Sequence, residues 1–145
     1  MPSQTFQHAA STPAAIGTVW KMLDEPRTWE AVPGVDRVVD PVVDAWGRLQ
    51  GFSFDSKVGG KTHRGRADPA GREEQRLMAW DITTSEMKGK VAVGLSPADR
   101  GTRVYVRLDV DGVGMLGSLF FPVIATAIGA GFADTVDDFV ESLGA

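Results

Sequence analysis

The chain has 145 residues, enough for one core and cramped for two. Hydrophobic residues make up 43% and charged residues 23%, which excludes general disorder. The net charge of −4 argues against a nucleic-acid partner, and the absence of cysteine removes disulfides, thiolate metal sites and a cysteine nucleophile. A chain of this length buries roughly 70% of its unfolded surface, so no metal or disulfide staple is required. The opening MPSQTFQHAASTPAAIG has no basic stretch followed by an apolar run. No signal peptide is therefore expected, and the chain reads as cytoplasmic.

Gln4 to His8 reads as a short edge strand. Ser11 or Thr12 before Pro13 is a helix-start signal, a hydroxyl N-cap with proline in the first turn. Ile16, Val19, Trp20 and Leu23 then form one helical apolar face, and Pro26 ends that helix near Asp24 or Glu25. A second short helix is expected over Arg27 to Ala31, before a Pro33-Gly34 turn. Val35, Val38, Val39, Val42 and Val43 read as a strand bent or broken at Pro41. Leu49 to Val58 and Lys61 to Asp68 form a hairpin around Gly59-Gly60. Asp68-Pro69-Ala70-Gly71 reads as the next turn.

Glu74 to Thr83 alternates, with Met78, Trp80 and Ile82 on one face. Lys88 to Leu95 alternates again through Val91, Val93 and Leu95, and Ser96 to Gly101 reads as a polar turn. Thr102 to Asp111 is the clearest strand. Val104, Val106, Leu108 and Val110 face one way, and Arg103, Tyr105, Arg107, Asp109 and Asp111 the other. From Gly114 to Leu143 strand signals vanish. Phe132, Val136, Phe139, Val140 and Leu143 fall at helical spacing, opposite Asp134, Asp137, Asp138 and Glu141. Such a sheet, dry on one side, needs a cover, and the last helix is the element long enough to supply it. The expected plan is α+β in one domain over residues 1–145.

This order is the helix-grip plan: a curved antiparallel sheet around a long C-terminal helix, with two short helices after the first strand. Val19-Trp20, Leu23-Asp24-Glu25-Pro26, Trp29 and Val32-Pro33-Gly34-Val35 resemble the opening motifs of the START-like (SRPBCC, birch-pollen-allergen-like) superfamily. Gly65-Arg66-Ala67, Ala79-Trp80-Asp81 and Gly101-Thr102-Arg103-Val104 resemble its later strand motifs. Gly114 to Leu119, with Pro122, resembles its entry into the last helix. The polyketide cyclase/dehydrase and lipid-transport-like branch fits best. The group around the G-type subunit of carbon monoxide dehydrogenase is similar at Pro33-Gly34 and Gly112–Gly117. The resemblance implies a hydrophobic cavity between sheet and helix. It implies no reaction, because one fold hosts carriers and enzymes alike.

The apolar stripe of Phe52, Phe54, Met78, Trp80, Val91, Val93, Val104, Val106 and Leu108 has two readings, a cavity wall or a solid core. Phe120, Ile124 and Ile128 would face it from the helix. Small residues there, Ala125, Ala127, Gly129 and Gly131, leave room over the sheet and favour a cavity. Trp29 and Trp46 are candidates for a cavity mouth, with packing as the plainer alternative. His63 and Arg64 are the catalytic candidates. A histidine facing inward is suited to general-base work, and an arginine to holding an enolate oxygen. Facing outward, both are solvated strand residues, with Arg64 and Arg66 pairing to acids such as Asp55. The two histidines lack metal-ligand spacing, and neither a metal nor a cofactor is expected.

Gly112 to Ala133 carries no charge and is long enough to span a bilayer, but its glycines and Pro122 argue against a spanning helix. Leu116, Leu119, Phe120 and Phe121 remain candidates for transient membrane contact. The expected function is binding of a hydrophobic small molecule or lipid by a non-enzymatic carrier, as monomer or homodimer and without nucleic acid. The alternatives are a polyketide aromatase/cyclase or dehydratase, and an accessory protein resembling the G-type subunit of carbon monoxide dehydrogenase.

Overall fold

Strand β1 (Ser3–Thr12) leads into helix α1 (Ile16–Leu23) and a 3-10 helix over Pro26–Ala31. Six strands follow: β2 (Arg37–Val43), β3 (Leu49–Val58), β4 (Lys61–Glu73), β5 (Leu77–Thr83), β6 (Met87–Ala98) and β7 (Gly101–Gly112). Helix α2 (Gly114–Leu143) closes the chain. The computed structural model describes residues 3–32, 35–58, 60–85 and 87–144, without the side chains at positions 58, 116, 118, 120 and 124. The expected Pro33-Gly34 turn and half of the Gly59-Gly60 turn lie outside the described residues.

The seven strands form one antiparallel sheet in the order β1-β7-β6-β5-β4-β3-β2. Sequential hairpins build six neighbours, and β1 returns to pair with β7, Phe6 opposite Leu108 and His8 opposite Val106. Register puts alternate residues of every strand on one face. Phe52, Phe54 and Ser56 on β3 oppose Ala67, Gly65 and His63 on β4. Val91 and Val93 on β6 oppose Leu108 and Val106 on β7. Most of this inner face is buried under α1 and α2.

Three expectations need correction. Thr12 does not cap α1. Its Oγ1 accepts from the Ala14 N–H at 3.3 Å, and α1 begins after Ala15 with no side-chain cap. Thr12 is still the end of β1, paired with Thr102, and its hydroxyl serves the bend that follows. Asp68-Pro69-Ala70-Gly71 is not a turn. β4 runs through it with a bulge between Pro69 and Gly71, where a proline without an N–H is tolerated. The real turn is at 74–76, with Gln75 at φ +58° and Arg76 N–H bonded to Glu73 O at 2.9 Å. Finally, β6 continues to Ala98 and only Asp99-Arg100 turn.

The bend expected at Pro41 is present. Asp40 has φ +49°, and the β2–β3 register shifts between Val39 and Val42. Helix α2 runs through Pro122 as one element, and Thr126 Oγ1 donates to Pro122 O at 2.8 Å. Among the described residues no helix is long and apolar enough to cross a membrane.

Candidate functional site

The space between sheet and α2 divides into two ends. At the end nearer the helix C-terminus it is solid. Trp29 packs against Phe52, Trp80 and Phe139 with ring centroids 6.4, 5.9 and 6.0 Å apart. Phe52 and Trp80 meet edge-on at 5.5 Å. Phe132, Val136, Phe139 and Val140 of α2 are all at most 5% exposed. The 3-10 helix supplies Trp29, whose Nε1–H donates to Leu23 O at 2.8 Å. That bond lets a large ring sit in the core without an orphaned donor.

At the other end α2 is more exposed, with Phe121 buried and Ala125 and Ile128 half-buried against the core. From Pro122 to Gly131 no described side chain is buried. Small residues there let α2 approach β1, since a Cβ on Gly129 would come within 2.9 Å of Phe6. Phe121, expected in an exposed patch, is instead buried against the core, while Leu119 of that patch is exposed. Beneath lies a cavity of about 60 Å³. Its walls come from the ends of the sheet strands: Phe54 and Ser56 of β3, Ile82 of β5, Val91 of β6, and Leu108 and Val110 of β7. Val32 and Val35 close one side, and Ile128 of α2 forms the roof. Thr84, Met87, Lys88 and Gly89, at the β5–β6 hairpin, complete the rim. The lining is almost wholly carbon, and Ser56, Thr84 and Lys88 are its polar members.

The stripe read from the sequence is thus both things at once. Phe54, Val91, Leu108 and Ile128 line the cavity. Phe52, Met78, Trp80, Val93, Val104 and Val106, each at most 2% exposed, belong to the packed core. The side chains of Phe120 and Ile124 lie outside the described residues. Val32, Val35, Ser56, Ile82, Thr84, Met87, Lys88, Gly89 and Val110 also line the cavity, and none of them is among the ligand-site residues expected from the sequence. Ser56 shares the alternation of Phe52 and Phe54, so strand parity carried the signal for it. Val32 and Val35 flank an irregular segment with no period to read.

The catalytic candidates part company across β4. His63 stands on the inner face, opposite Ser56, and is half-buried. Arg64 stands on the outer face, where its Nε donates to Asp55 Oδ1 at 2.7 Å. Arg66, also outward, bonds Asp68 at 2.9 Å. Arg72, beyond the bulge, faces inward again and forks onto Asp24 with bonds of 2.8 and 2.9 Å. Its hydrogen bonds to Asp24 raise its pKa above the ordinary arginine value against the opposing effect of burial. Trp20 carries this guanidinium over its ring, 5.0 Å from the centroid. Trp46, at the β2–β3 hairpin, is 81% exposed and away from the cavity lining.

A seven-stranded antiparallel sheet gripping one long C-terminal helix over an apolar cavity defines a helix-grip α+β protein. Residues 3–144 match the family model described as polyketide cyclase/dehydrase and lipid transport, and the chain belongs to that family. No curated protein sequence matches it significantly. The ZhuI aromatase/cyclase from Streptomyces sp. R1128 is similar in structure, with TM-score 0.69, 11% identity, and 93% of this chain and 92% of that one covered. A START superfamily protein from Mycobacterium smegmatis gives TM-score 0.67, 11% identity, and coverage of 97% and 96%. Ara h 8.0201 gives TM-score 0.59, 16% identity, and coverage of 96% and 98%. At these identities the likeness is one of fold.

Proposed function

We propose that the protein is a non-enzymatic carrier that holds a hydrophobic small molecule or lipid between the sheet and the N-terminal half of α2. It would act in the cytoplasm, alone or as a homodimer, with residues 1–145 working as one unit. The observation that carries this reading is the carbon-lined cavity between the inner face of the sheet and Ile128 of α2. A cavity of about 60 Å³ is far smaller than the roughly 300–1,000 Å³ of ordinary ligand sites. Loading therefore requires the N-terminal half of α2, or the hairpin tips below it, to move outward. Met115, Leu119 and Val123 are 87%, 68% and 63% exposed and repeat every fourth residue along that half. In this reading they rest on a lipid surface while ligand passes.

Native mass spectrometry of gently purified protein, followed by extraction, tests the proposal. The expected result is a bound mass of a few hundred daltons in one-to-one ratio, with an apolar extract. A ligand-free mass, together with no thermal stabilisation by a panel of lipids and aromatic ketones, would overturn it.

A second reading is a polyketide aromatase/cyclase or dehydratase, supported by the inward position of His63 opposite Ser56. It requires His63→Ala to slow cyclisation of a poly-β-ketone roughly 100-fold. A change below about threefold removes His63 from any such mechanism.

A further inference from the structure

Three of the four tryptophans account for their indole N–H. Trp20 donates to Glu74 at 3.0 Å, Trp29 donates to Leu23 O, and Trp46 is open to water. Trp80 does not. It is 2% exposed, and its Nε1 is sealed from solvent with no acceptor among the described residues. A buried donor without a partner is a standing cost that a wholly apolar side chain would not carry. Water is a poor remedy, since it needs two or more polar partners and the rings around Trp80 are those of Trp29 and Phe52.

The position of Trp80 suggests the remedy. It stands on the inner face of β5, one inward position from Ile82 and directly opposite Val91 on β6. Both of those residues are cavity wall. Phe52, in edge contact with Trp80, also meets Phe54, a third wall residue, at 6.3 Å. Trp80 is therefore one side-chain layer beyond the cavity, on the side where the core begins.

We propose that Trp80 is the polar anchor of the ligand site. Its Nε1–H donates to a carbonyl or ether oxygen at the end of the ligand that enters deepest, once Phe54 and its neighbours give way. This rests on the carrier reading and narrows the ligand to an apolar molecule with an acceptor oxygen and no donor at its leading end. An alcohol or an amine leading with its own N–H or O–H could satisfy Nε1 only by burying a donor of its own unpaired. A plain hydrocarbon leaves the indole as it is.

Acetylnaphthalene and ethylnaphthalene test the anchor, since they differ by a carbonyl in place of a methylene. The wild-type chain is expected to bind the ketone roughly tenfold tighter than the hydrocarbon, and Trp80→Phe to cut that preference below about threefold. In the wild type, the Trp80 indole N–H resonance, assigned through bonds, should move downfield with the ketone and not with the hydrocarbon. This second arm needs no variant, so it decides the matter even if Trp80→Phe fails to fold. If both probes bind, the resonance stays still and the variant keeps the preference, the anchor is wrong and the cavity stands. If neither probe binds the wild type, the carrier reading fails and the anchor falls with it.

Discussion

The ring of Phe54 occupies the space that a Cβ on Gly65 would need, the two residues standing directly opposite in the β3–β4 register. Gly65 is thus the reason an aromatic ring can lie at the cavity wall. A methyl there must push Phe54 aside, and every direction open to it is either cavity or packed core. Gly65→Ala is expected to destabilise the protein by about 1–3 kcal/mol through overpacking and to weaken ligand binding together with stability. Urea unfolding and titration with a fluorescent apolar probe measure the two effects. Unchanged values for both would mean that Phe54 has another rotamer available at no cost.

Asp24 and Arg72 tie α1 to the far end of the sheet, and the β4 bulge makes this possible. By reversing the alternation after Pro69 it turns Arg72 inward, under Trp20. Asp24 Oδ1 also accepts from the Leu49 N–H at 3.1 Å, so one carboxylate serves three donors. The pair is 25% and 16% exposed, enough shielding for its loss to matter. Asp24→Ala should cost about 2–4 kcal/mol, because it leaves a guanidinium and a backbone donor partly buried and unpaired. Arg72→Lys should cost less while losing the fork and the stacking. Denaturant midpoints at constant m-value check both, and equal costs for the two variants would contradict the account.

The elements that read clearly in the sequence are those whose side chains repeat with a period. Val104, Val106, Leu108 and Val110 alternate without interruption, and β7 lies at the expected place. Phe132, Val136, Phe139, Val140 and Leu143 keep helical spacing and are buried as expected. The turn expected at Asp68 failed because Asp-Pro-Ala-Gly is equally good chemistry for a bulge, and only pairing with β5 decides between them. The candidate site was half legible for a similar reason. Inner-face parity identifies Phe54 and Trp80 alike, and what separates cavity wall from core is which side chains of other elements pack against each. At the solid end Trp29 meets Trp80 and Phe139, long-range contacts with no local signature. His63 and Arg64 could be assigned to opposite faces only once the register of β3 against β4 was known.

Asp109 sets an acid-side dependence. Partial burial works against its charge, but hydrogen bonds from Arg107 and Thr5, with the positive charges of Arg107 and Lys90, outweigh it and hold its pKa below the ordinary 3.8. A carboxylate depressed in the folded state contributes stability above its unfolded value and loses it as pH falls through the folded one. The window therefore lies below 3.8. Asp109→Asn should reduce stability at neutral pH and converge with the wild type in strong acid. Thermal unfolding across that range measures the difference. A gap that widens toward acid would reverse the sign and refute the assignment.

Met115, Leu119 and Val123 separate function from stability most cleanly, because they are exposed and the fold does not need them. Replacing all three with glutamine keeps helix propensity close to that of the original residues. Each change should alter stability by no more than about 0.5 kcal/mol, as for ordinary surface positions. If this half of α2 meets a lipid surface during loading, the triple variant will bind vesicles less and acquire ligand from them more slowly. Its affinity for ligand already in solution should stay unchanged, since Phe54, Val91, Leu108 and Ile128 are intact. Vesicle co-sedimentation and stopped-flow transfer from donor vesicles measure binding and transfer in turn. Wild-type transfer by the variant would show that ligand reaches the cavity through solution, and the exposed stripe would lose its part in loading.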